Sequence, residues 1–257
     1  MKVLAILQAR VSSSRLPGKV LLPVLGEPML FLQIERICRA GRIDHLVVAT
    51  STDRSDDVLV EACTARKISC ARGSLDDVLD RFVQCALPYQ PDIVVRLTGD
   101  CPLADPRLID AMLQAFETGD YDYLANVSPP TFPDGLDVEV MRFSSLVVAY
   151  REARLPSERE HVTPFLRAHP ERFRLGNYTS DVDRSGLRWT VDEAQDMELV
   201  RSVYELLYPA KPDFSTEDIL ELLESHTQLQ SLNSNLERNA GFKKSQQDDA
   251  RVLVRGK

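Results

Sequence analysis

The stretch that decides the fold is VLAILQARVSSSRLPGK, residues 3–19. It opens with five consecutive apolar residues, a pattern typical of a buried strand. A loop follows that carries Arg10, Arg15 and Lys19, although the 257-residue chain has a net charge of −8. Serines lie among these cations, and a Pro-Gly pair would turn the chain so that Lys19 points back into the loop. Such donors suit several phosphate oxygens at once, so we predict a polyphosphate-binding loop. The alternative is a solvated surface loop.

Apolar runs and amphipathic stretches alternate along the first half of the chain. The runs are residues 3–7, 45–50, 92–97 and 135–140, and the helical stretches are residues 29–40, 55–66 and 75–87. This alternation predicts an α/β fold with a doubly wound, mostly parallel sheet flanked by helices. Because such a sheet binds ligands beyond the carboxyl ends of its strands, the residues just after each run are the candidate site.

The second half predicts a loop, further helices and a tail. Residues 126–135 hold three prolines and a glycine and are expected to form a loop long enough to shape a pocket. The expected elements are helices at 143–153, 157–169 and 215–225, and a strand followed by a long helix within 187–208. We therefore predict one domain over residues 1–226 and a polar, mobile tail over residues 227–257.

Composition excludes several classes of function. Hydrophobic residues make up 44% and charged residues 27%, which is ordinary for a globular domain. The negative net charge argues against non-specific binding to nucleic acid or to an anionic membrane. The short N-terminal apolar run fits neither a signal peptide nor a membrane span, so we expect a cytoplasmic protein. Five cysteines without C-x-x-C spacing predict reduced thiols.

The third apolar run leads into VVRLTGDCPLADP, residues 94–106. Gly99 would allow a ligand to approach the backbone closely, and Asp100 would place a carboxylate at the sheet edge. Mg²⁺ usually takes one or two protein carboxylates together with substrate phosphates, so Asp100 is a candidate metal ligand. Asp105 stands before a proline and is the better candidate for a helix cap. Cys101 could be a nucleophile, but no cationic neighbour argues for a thiolate, so packing is favoured.

A second carboxylate comes from RWTVDEAQD, residues 188–196. Asp192 follows a β-rich run and precedes a helix, so taken alone it is better explained as an N-cap. Taken with Asp100 and the basic loop, it is the second candidate metal ligand. The sequence therefore predicts that two distant aspartates meet beside the basic loop.

These stretches, together with VVATSTD, REHVTPF and PDGLDVEV, resemble the nucleotide-sugar cytidylyltransferases, which include the Kdo and acylneuraminate enzymes. The branch most similar is the one named after spore coat polysaccharide biosynthesis protein F. The similarity spans about residues 1–208. It implies a nucleotide-diphospho-sugar transferase-like fold with a small β-containing insertion at about 126–180 for acceptor binding and dimerisation. It also implies CTP, Mg²⁺ or Mn²⁺, a small-molecule acceptor, a homodimer and a role in surface polysaccharide precursor synthesis.

The resemblance also implies roles for particular residues. Lys19, Arg10 and Asp100 would be catalytic, and Asp100 and Asp192 would hold the metal. The positions matching the nucleotide-binding residues are Gln8, Ala9, Arg10, Ser13, Arg15, Lys19, Arg81 and Gly99. Arg81 lies in GSLDDVLDR, which resembles the family segment that encloses the base. Gln8 stands where the family usually has proline, and Cys101 replaces the acid of a GDEP pattern, which leaves the choice of base open.

Four further residues are candidates for acceptor binding: Asp134, Asp137, Glu139 and His161. The three acids surround the proline-rich loop and could hold acceptor hydroxyls or be solvated turn and strand residues. His161 could be a base or an acceptor contact, although a lone histidine on a helix is more often structural.

The function hypothesis is a nucleotidyltransferase that moves CMP from CTP to a sugar acid or related acceptor and releases pyrophosphate. One alternative is a glycosyltransferase of related architecture that uses a ready-made nucleotide sugar. A loop with three cations favours a triphosphate over a diphosphate donor. The other alternative is a nucleotide-binding subunit without turnover, which the presence of both aspartates argues against.

Overall fold

The computed structural model describes residues 1–13, 15–236, 238 and 249. Its centre is a seven-stranded sheet, and a two-stranded hairpin lies beside it. The strands are β1 (Val3–Gln8), β2 (Pro23–Val24), β3 (Glu27–Pro28), β4 (His45–Ser51), β5 (Cys70–Gly73), β6 (Ile93–Thr98), β7 (Tyr123–Ala125), β8 (Glu139–Arg142) and β9 (Leu175–Asn177).

Ten α-helices lie within the described residues: α1 (Met29–Ile37), α2 (Asp57–Ala65), α3 (Val78–Ala86), α4 (Pro106–Gly119), α5 (Phe143–Glu152), α6 (Pro156–His161), α7 (Pro164–Ala168), α8 (Ala194–Leu207), α9 (Thr216–Ser225) and α10 (Thr227–Gln230). Three short 3₁₀ turns lie between them, at Lys19–Leu21, Arg54–Asp56 and Leu87–Tyr89.

The sheet has the strand order β5-β4-β1-β6-β8-β7-β9. The first four strands are mutually parallel, β8 runs antiparallel to both its neighbours, and β9 is parallel to β7. Residues 3–7 are fully buried because helices cover both faces, as a parallel sheet requires. One face packs against α1, α2, α4, α8 and α9, and the other packs against α3, α5 and α7. The predicted doubly wound, mostly parallel fold is confirmed.

The order of strands reverses at β1, and this defines where a ligand can bind. From β1 the chain adds β4 and β5 on one side and then returns to add β6 on the other. At such a switch point the loops that follow the two central strands diverge and leave a crevice at the carboxyl edge. The loops after β1 and β6 are the basic loop and the segment containing Asp100.

Three predicted elements differ from the structure. The strand expected over residues 135–140 begins at Glu139, because residues 135–138 form a loop against the segment before α8. Gly135 has a φ of +110°, and a Cβ there would lie 2.5 Å from the backbone nitrogen of Thr190. No regular strand forms within residues 187–191, where an isolated bridge joins Arg188 to Asp134.

The helix expected over residues 157–169 is interrupted. It is two short helices, α6 and α7, separated by Val162 with a φ of +71°. Pro164 explains the break, since it has no N–H to donate and its ring would clash with the preceding turn of a continuous helix. The strands β5, β7 and β9 were not predicted, since three or four residues give too short a pattern.

The C-terminal region is described only in part. Residues 227–230 form a short helix, and Asn233 is 4% exposed. Most of the predicted mobile tail over residues 227–257 lies outside the described residues, so its mobility and the domain limits stay predictions. No helix in the described part of the chain has the length and apolar character needed to cross a membrane.

Candidate active site

A single ammonium group joins the basic loop to both candidate aspartates. Nζ of Lys19 lies 3.0 Å from Oδ2 of Asp100 and 2.9 Å from Oδ1 of Asp192. It also donates to the carbonyl oxygen of Val191 at 2.7 Å, and Lys19 is only 9% exposed. The loop and the two aspartates therefore meet at one point of the crevice between β1 and β6.

Arg15 adds a second cation at the same place. Its Nη2 lies 2.8 Å from Oδ1 of Asp192, and its Nε lies 3.8 Å from a carboxylate oxygen of Glu193. The Arg15 side chain is 40% exposed, so it lies at the mouth of the crevice while Lys19 lies at its floor. Arg10 is exposed on the same loop.

The charges in this group stabilise one another. Burial alone would raise the pKa of Asp100, but the Lys19 ammonium and the hydroxyl of Thr98 outweigh burial and lower that pKa to about 2. Burial would likewise lower the pKa of Lys19, but the charges of Asp100 and Asp192 reverse the effect and raise it. The carboxylate and the ammonium are thus both charged at neutral pH.

Backbone contacts between strand ends place Asp100. The Gly99 N–H donates to the Gln8 carbonyl at 2.7 Å, and a Cβ on Gly99 would lie 2.9 Å from Cβ of Ala9. Glycine is therefore needed because the ends of β6 and β1 approach closely, whereas the sequence suggested a close approach to a ligand. The backbone nitrogen of Val191 donates to the carbonyl of Asp100 at 2.7 Å, which binds the two aspartate segments to each other.

Neither Asp100 nor Asp192 caps the helix that follows it. The N-cap of α8 is Glu193, and Asp196 accepts hydrogen bonds from the backbone nitrogens of Asp192 and Glu193, both at 2.9 Å. The N-cap alternative for Asp192 is therefore wrong, and its carboxylate points at the cations. Asp105 is the N-cap of α4, as predicted, and accepts from the nitrogen of Arg107 at 2.8 Å.

Arg81 is buried on α3, where its side chain packs against Gly73 at the end of β5. It is 1% exposed, and its Nε and Nη1 have no hydrogen-bond partner among the described residues. Burial and the charge of Arg10 lower the pKa of its guanidinium to about 10. A buried cation with unused donors is costly unless something binds it, so Arg81 has the properties of a ligand-binding group.

The remaining members of the predicted nucleotide set lie around the same loop. Oε1 of Gln8 faces Nη2 of Arg96 at 3.5 Å, and Ala9 is buried with its nitrogen bonded to the carbonyl of Ala49. Oγ of Ser13 accepts from the nitrogen of Leu16 at 3.3 Å, which shapes the loop itself. The structure places these residues together, and their contacts with a nucleotide stay predictions.

The four candidate acceptor residues do not form one group. Glu139 is buried with Arg96 and accepts hydrogen bonds from the hydroxyls of Tyr123 and Thr163. Burial would raise the pKa of Glu139, but Arg96 and these donors lower it. His161 lies near this cluster, and burial lowers the pKa of its imidazole. The acceptor role of both residues stays a prediction.

Asp134 and Asp137 form ion pairs with arginines outside that cluster. Asp134 pairs with Arg188 at 2.9 Å, and Asp137 pairs with Arg238 at 2.6 Å. Burial raises the pKa of Asp137 to about 7. Cys101, beside Asp100, is buried, and burial raises the pKa of its thiol, which supports packing over nucleophilic chemistry.

Sequence reasoning missed Arg96, Arg188 and Asn233. Arg96 was visible as a charge inside an apolar strand, which calls for a buried partner. Arg188 was likewise visible as a charge at the start of an apolar, β-rich run, which calls for a buried partner. Asn233 gave no signal, because its partners lie 37 and 45 residues away in sequence.

Two carboxylates facing a shared cation suit a divalent metal ion. Carboxylate oxygens are the ligands that Mg²⁺ prefers, and Mg²⁺ normally completes its shell with water and substrate phosphates. The Lys19 ammonium shows that the space between Asp100 and Asp192 accommodates positive charge. Within the described residues no cluster of three or more His, Cys, Asp or Glu could hold a metal by itself. The arrangement therefore fits a divalent ion that two carboxylates hold and whose shell is completed by water or substrate phosphates.

The sequence model of the cytidylyltransferase family matches residues 4–238. The chain is 36% identical over 239 residues to spore coat polysaccharide biosynthesis protein SpsF of Bacillus subtilis, a match that covers 86% of this chain and 93% of that protein. It superposes on a cytidylyltransferase from Leptospira borgpetersenii with a TM-score of 0.85 and 33% identity, over 93% of this chain and 99% of the other. It shares its fold with CMP:2-keto-3-deoxy-manno-octonic acid synthetase complexed with CTP, with a TM-score of 0.61, 21% identity, and coverage of 80% and 99%.

Proposed function

The chain belongs to the cytidylyltransferase family, and on that premise we propose that it moves CMP from CTP to a sugar acid or related acceptor, releases pyrophosphate and requires Mg²⁺ or Mn²⁺. The proposed setting is the synthesis of surface polysaccharide precursors, after the name of the Bacillus subtilis relative.

One observation carries the proposal: the Lys19 ammonium contacts Asp100 and Asp192 at 3.0 and 2.9 Å in the switch-point crevice. Cations and carboxylates at one point are what transfer of a phosphate-linked group requires. The cations neutralise the departing phosphates, and the carboxylates hold a divalent ion. A solvated basic loop would not bury its lysine against two distant carboxylates.

In the proposed reaction a bond forms between an acceptor oxygen and the α-phosphorus of CTP. The bond from that phosphorus to the oxygen bridging the α- and β-phosphates breaks, and pyrophosphate leaves with the electron pair. The acceptor proton passes to solvent. Arg10, Arg15 and Lys19 would bind the β- and γ-phosphates and stabilise the charge that accumulates on them. Bound at Asp100 and Asp192, the metal would supply further charge neutralisation at the α-phosphate.

Arg81 supports a site for the base at the far side of the loop. Its unused Nε and Nη1 donors lie in the part of the crevice bordered by β5, since a Cβ on Gly73 would lie 2.9 Å from Cγ of Arg81. A pyrimidine that carries a carbonyl oxygen and a ring nitrogen acceptor would satisfy such donors. Cytosine has both acceptors, which agrees with CTP as the nucleotide.

The acceptor would lie toward β6 and β8, where Arg96 and His161 border the crevice near Glu139. Cationic groups outnumber the one carboxylate here, because Arg96 and Arg167 both act on Glu139. That balance supports an acceptor with an acidic group.

A pyrophosphate-release screen tests the proposal. The four nucleoside triphosphates are each combined with sugar acids, sugar phosphates and phosphonates, in Mg²⁺, in Mn²⁺ and in EDTA. We expect release with CTP and an acidic acceptor, metal dependence, and loss of on the order of 10²–10³ in rate for Asp192→Asn. Full turnover of Asp192→Asn, or turnover in EDTA, would contradict the site assignment.

The same screen separates the alternatives. Family membership favours cytidylyl transfer over transfer from a ready-made nucleotide sugar. Binding of CTP by calorimetry without pyrophosphate release across the whole panel would instead identify a silent subunit. The homodimer and the cytoplasmic location stay predictions.

A further inference from the structure

Arg188 lies behind the candidate metal-binding site, among three carboxylates. Its Nη1 donates to Asp134 at 2.9 Å, its Nη2 donates to Asp192 at 3.1 Å, and its Nε donates to Asp196 at 2.9 Å. Arg188 is 7% exposed. All three nitrogens of the guanidinium thus donate to carboxylates, and the three carboxylates approach Arg188 through different nitrogens.

The two carboxylate oxygens of Asp192 have different partners. Oδ1 faces the crevice, at 2.9 Å from Lys19 and 2.8 Å from Arg15. Oδ2 is held from the opposite side by Nη2 of Arg188. Because the hydrogen bond from Arg188 prevents rotation of the carboxylate, Oδ1 keeps one direction toward the crevice.

Arg188 is itself fixed by Asp196 and Asn233. Asp196 is fully buried and accepts from both Nε and Nη2 of Arg188. The side-chain amide of Asn233 donates to the Asp196 carboxylate at 2.8 Å and to the Arg188 carbonyl at 3.0 Å. Asn233 follows α10, so the segment after α9 reaches back to the residue that holds Asp192.

Asp134 fixes Arg188 from the other side. Its backbone nitrogen donates to the carbonyl of Leu187 at 2.9 Å, and its own carbonyl accepts from Trp189 at 2.6 Å. Gly135 permits this close packing of the loop, as its positive φ shows. The backbone on both sides of Arg188 is therefore bonded to the loop that presents the Asp134 carboxylate.

We infer that Arg188 is the positioning residue for Asp192, and that Asn233 extends this network into the segment after α9. The inference rests on the proposed function, since it assigns Asp192 to a divalent metal. Arg188 does not touch the crevice side of the carboxylate. It acts by presenting Oδ1 of Asp192 in a fixed orientation.

Lysine cannot replace arginine in this role. An ammonium keeps the positive charge but lacks the planar fork whose separate nitrogens reach three carboxylates. Removing the partner that orients a metal ligand typically costs about 10–100-fold in metal affinity. Arg188→Lys therefore tests orientation at constant charge.

The experiment is titration of the full-length protein with Mn²⁺ alone, with free Mn²⁺ measured by electron paramagnetic resonance. We expect Arg188→Lys to raise the Mn²⁺ dissociation constant by about 10–100-fold. The matched control is Arg142→Lys, since Arg142 is also shared by two carboxylates, Asp120 and Asp122, but lies away from the crevice. The control should bind Mn²⁺ like the unaltered protein.

A second variant covers the case in which Arg188→Lys does not fold. Asn233→Ala leaves every charge in place and removes only the two hydrogen bonds of the amide. We expect weaker Mn²⁺ binding by a few-fold to about 10-fold, with Ser234→Ala, an exposed neighbour, as control. A purely structural role would lower the melting temperature and leave Mn²⁺ affinity unchanged.

The outcomes separate this inference from the function on which it rests. If the unaltered protein binds Mn²⁺ and both Arg188→Lys and Asn233→Ala bind it equally well, the positioning role is wrong while the proposed metal site still stands. If the unaltered protein binds no Mn²⁺, the proposed metal site is overturned and the inference with it.

Discussion

Nζ of Lys19 lies 2.9 Å from Oδ1 of Asp192, across 173 positions of sequence. The contact joins the loop after the first strand to the segment before α8. The same nitrogen binds Asp100 after β6, so three segments that are distant in sequence converge on one charge. This ammonium is the one cation that pairs with both carboxylates among the described residues, while Arg15 and Arg188 contact Asp192 as well.

Replacing Lys19 by methionine should remove turnover and make stability depend on metal. Loss of one preorganised donor costs on the order of 10²–10³ in rate. Two carboxylates left facing each other repel, so Lys19→Met should unfold at a lower temperature in EDTA. Added Mn²⁺ should then stabilise this variant more than the unaltered protein, because the ion no longer competes with an ammonium. Pyrophosphate release and thermal unfolding measure the two effects.

The control for Lys19 is Lys211→Met. Lys211 also pairs with an aspartate, at 2.8 Å from Asp218, but its side chain is 49% exposed. An exposed pair contributes little, so we expect turnover and metal response to stay unchanged. A Lys19→Met protein whose gain in melting temperature with Mn²⁺ matched that of the control would contradict the shared-site assignment.

Asp100 and Asp105 are five positions apart and should give opposite results. Asp100→Asn should lose about 10²–10³ in turnover and also some stability, since Lys19 lowers the pKa of this carboxyl to about 2 and its charged form therefore stabilises the fold. Asp105→Ala should lose about 0.5–2 kcal/mol of stability, because Asp105 caps α4, and should keep its turnover at 25 °C. Steady-state kinetics and urea unfolding of the two variants check the pair. If both variants lost turnover to the same extent, or if both kept it, the assignment of catalysis to Asp100 and of capping to Asp105 would be wrong.

Much of the fold could be predicted because apolar runs mark the parallel strands. The central residues of β1, β4 and β6 are buried and mostly apolar; polar residues lie at the strand ends, and Arg96 is the exception inside β6. Because these strands are parallel neighbours, the segments that follow them lie at the same carboxyl edge of the sheet. The meeting of Lys19 with Asp100 follows from that topology.

The rest depends on contacts that no local pattern encodes. Residues 135–138 alternate like a strand, yet Gly135 turns the chain against Thr190 and delays β8 to Glu139. The role of Asn233 depends on where α9 and α10 bring the chain, which its polar surroundings in sequence did not indicate. The choice among the acceptor residues stayed open for a related reason, since Glu139 and Asp137 pair with different arginines, Arg96 and Arg238.

Arg81 and Arg36 are both buried, and their substitution by methionine should separate ligand binding from packing. Arg81→Met should raise the KM for CTP by on the order of 10- to 100-fold. This range corresponds to the loss of one hydrogen bond to a charged group, which contributes about 1.5–3 kcal/mol. It should also raise the melting temperature of the free protein, since a buried charge near Arg10 is removed. Kinetics with varied CTP and thermal unfolding measure both.

The guanidinium of Arg36 has protein partners instead. Its Nε and Nη1 donate to the carbonyls of Ala104 and Phe214 at 2.8 and 3.0 Å. Arg36→Met should therefore lower the melting temperature and leave the KM for CTP unchanged. If Arg81→Met behaved in the same way, Arg81 would be a structural residue.

Asp137 should make stability depend on pH. Burial raises its folded pKa to about 7, above the ordinary value of 3.8. Between these pH values the folded protein holds a proton that the unfolded chain releases. The stability that Asp137 contributes in its protonated form is therefore fully present below about pH 4 and is lost as the pH rises through 7. Asp137→Asn should remove that loss, and the variant should gain stability relative to the unaltered protein between pH 5 and pH 8. The side chain is 31% exposed, so water reduces the effect, and we expect about 1 kcal/mol or about 2–4 °C.

Asp218→Asn provides the comparison of opposite sign. Its hydrogen bonds with Lys211 and Ser215 lower the pKa of Asp218 to about 2, so its stabilising contribution is present above the ordinary pKa of 3.8 and is lost as pH falls through 2. The Asn variant should therefore be less stable than the unaltered protein at both pH 5 and pH 8, with no gain between them. Thermal unfolding of the three proteins across this range measures both effects. A melting-temperature difference between Asp137→Asn and the unaltered protein that stayed constant from pH 5 to pH 8 would mean that Asp137 is already ionised in the fold, held by Arg238 at 2.6 Å.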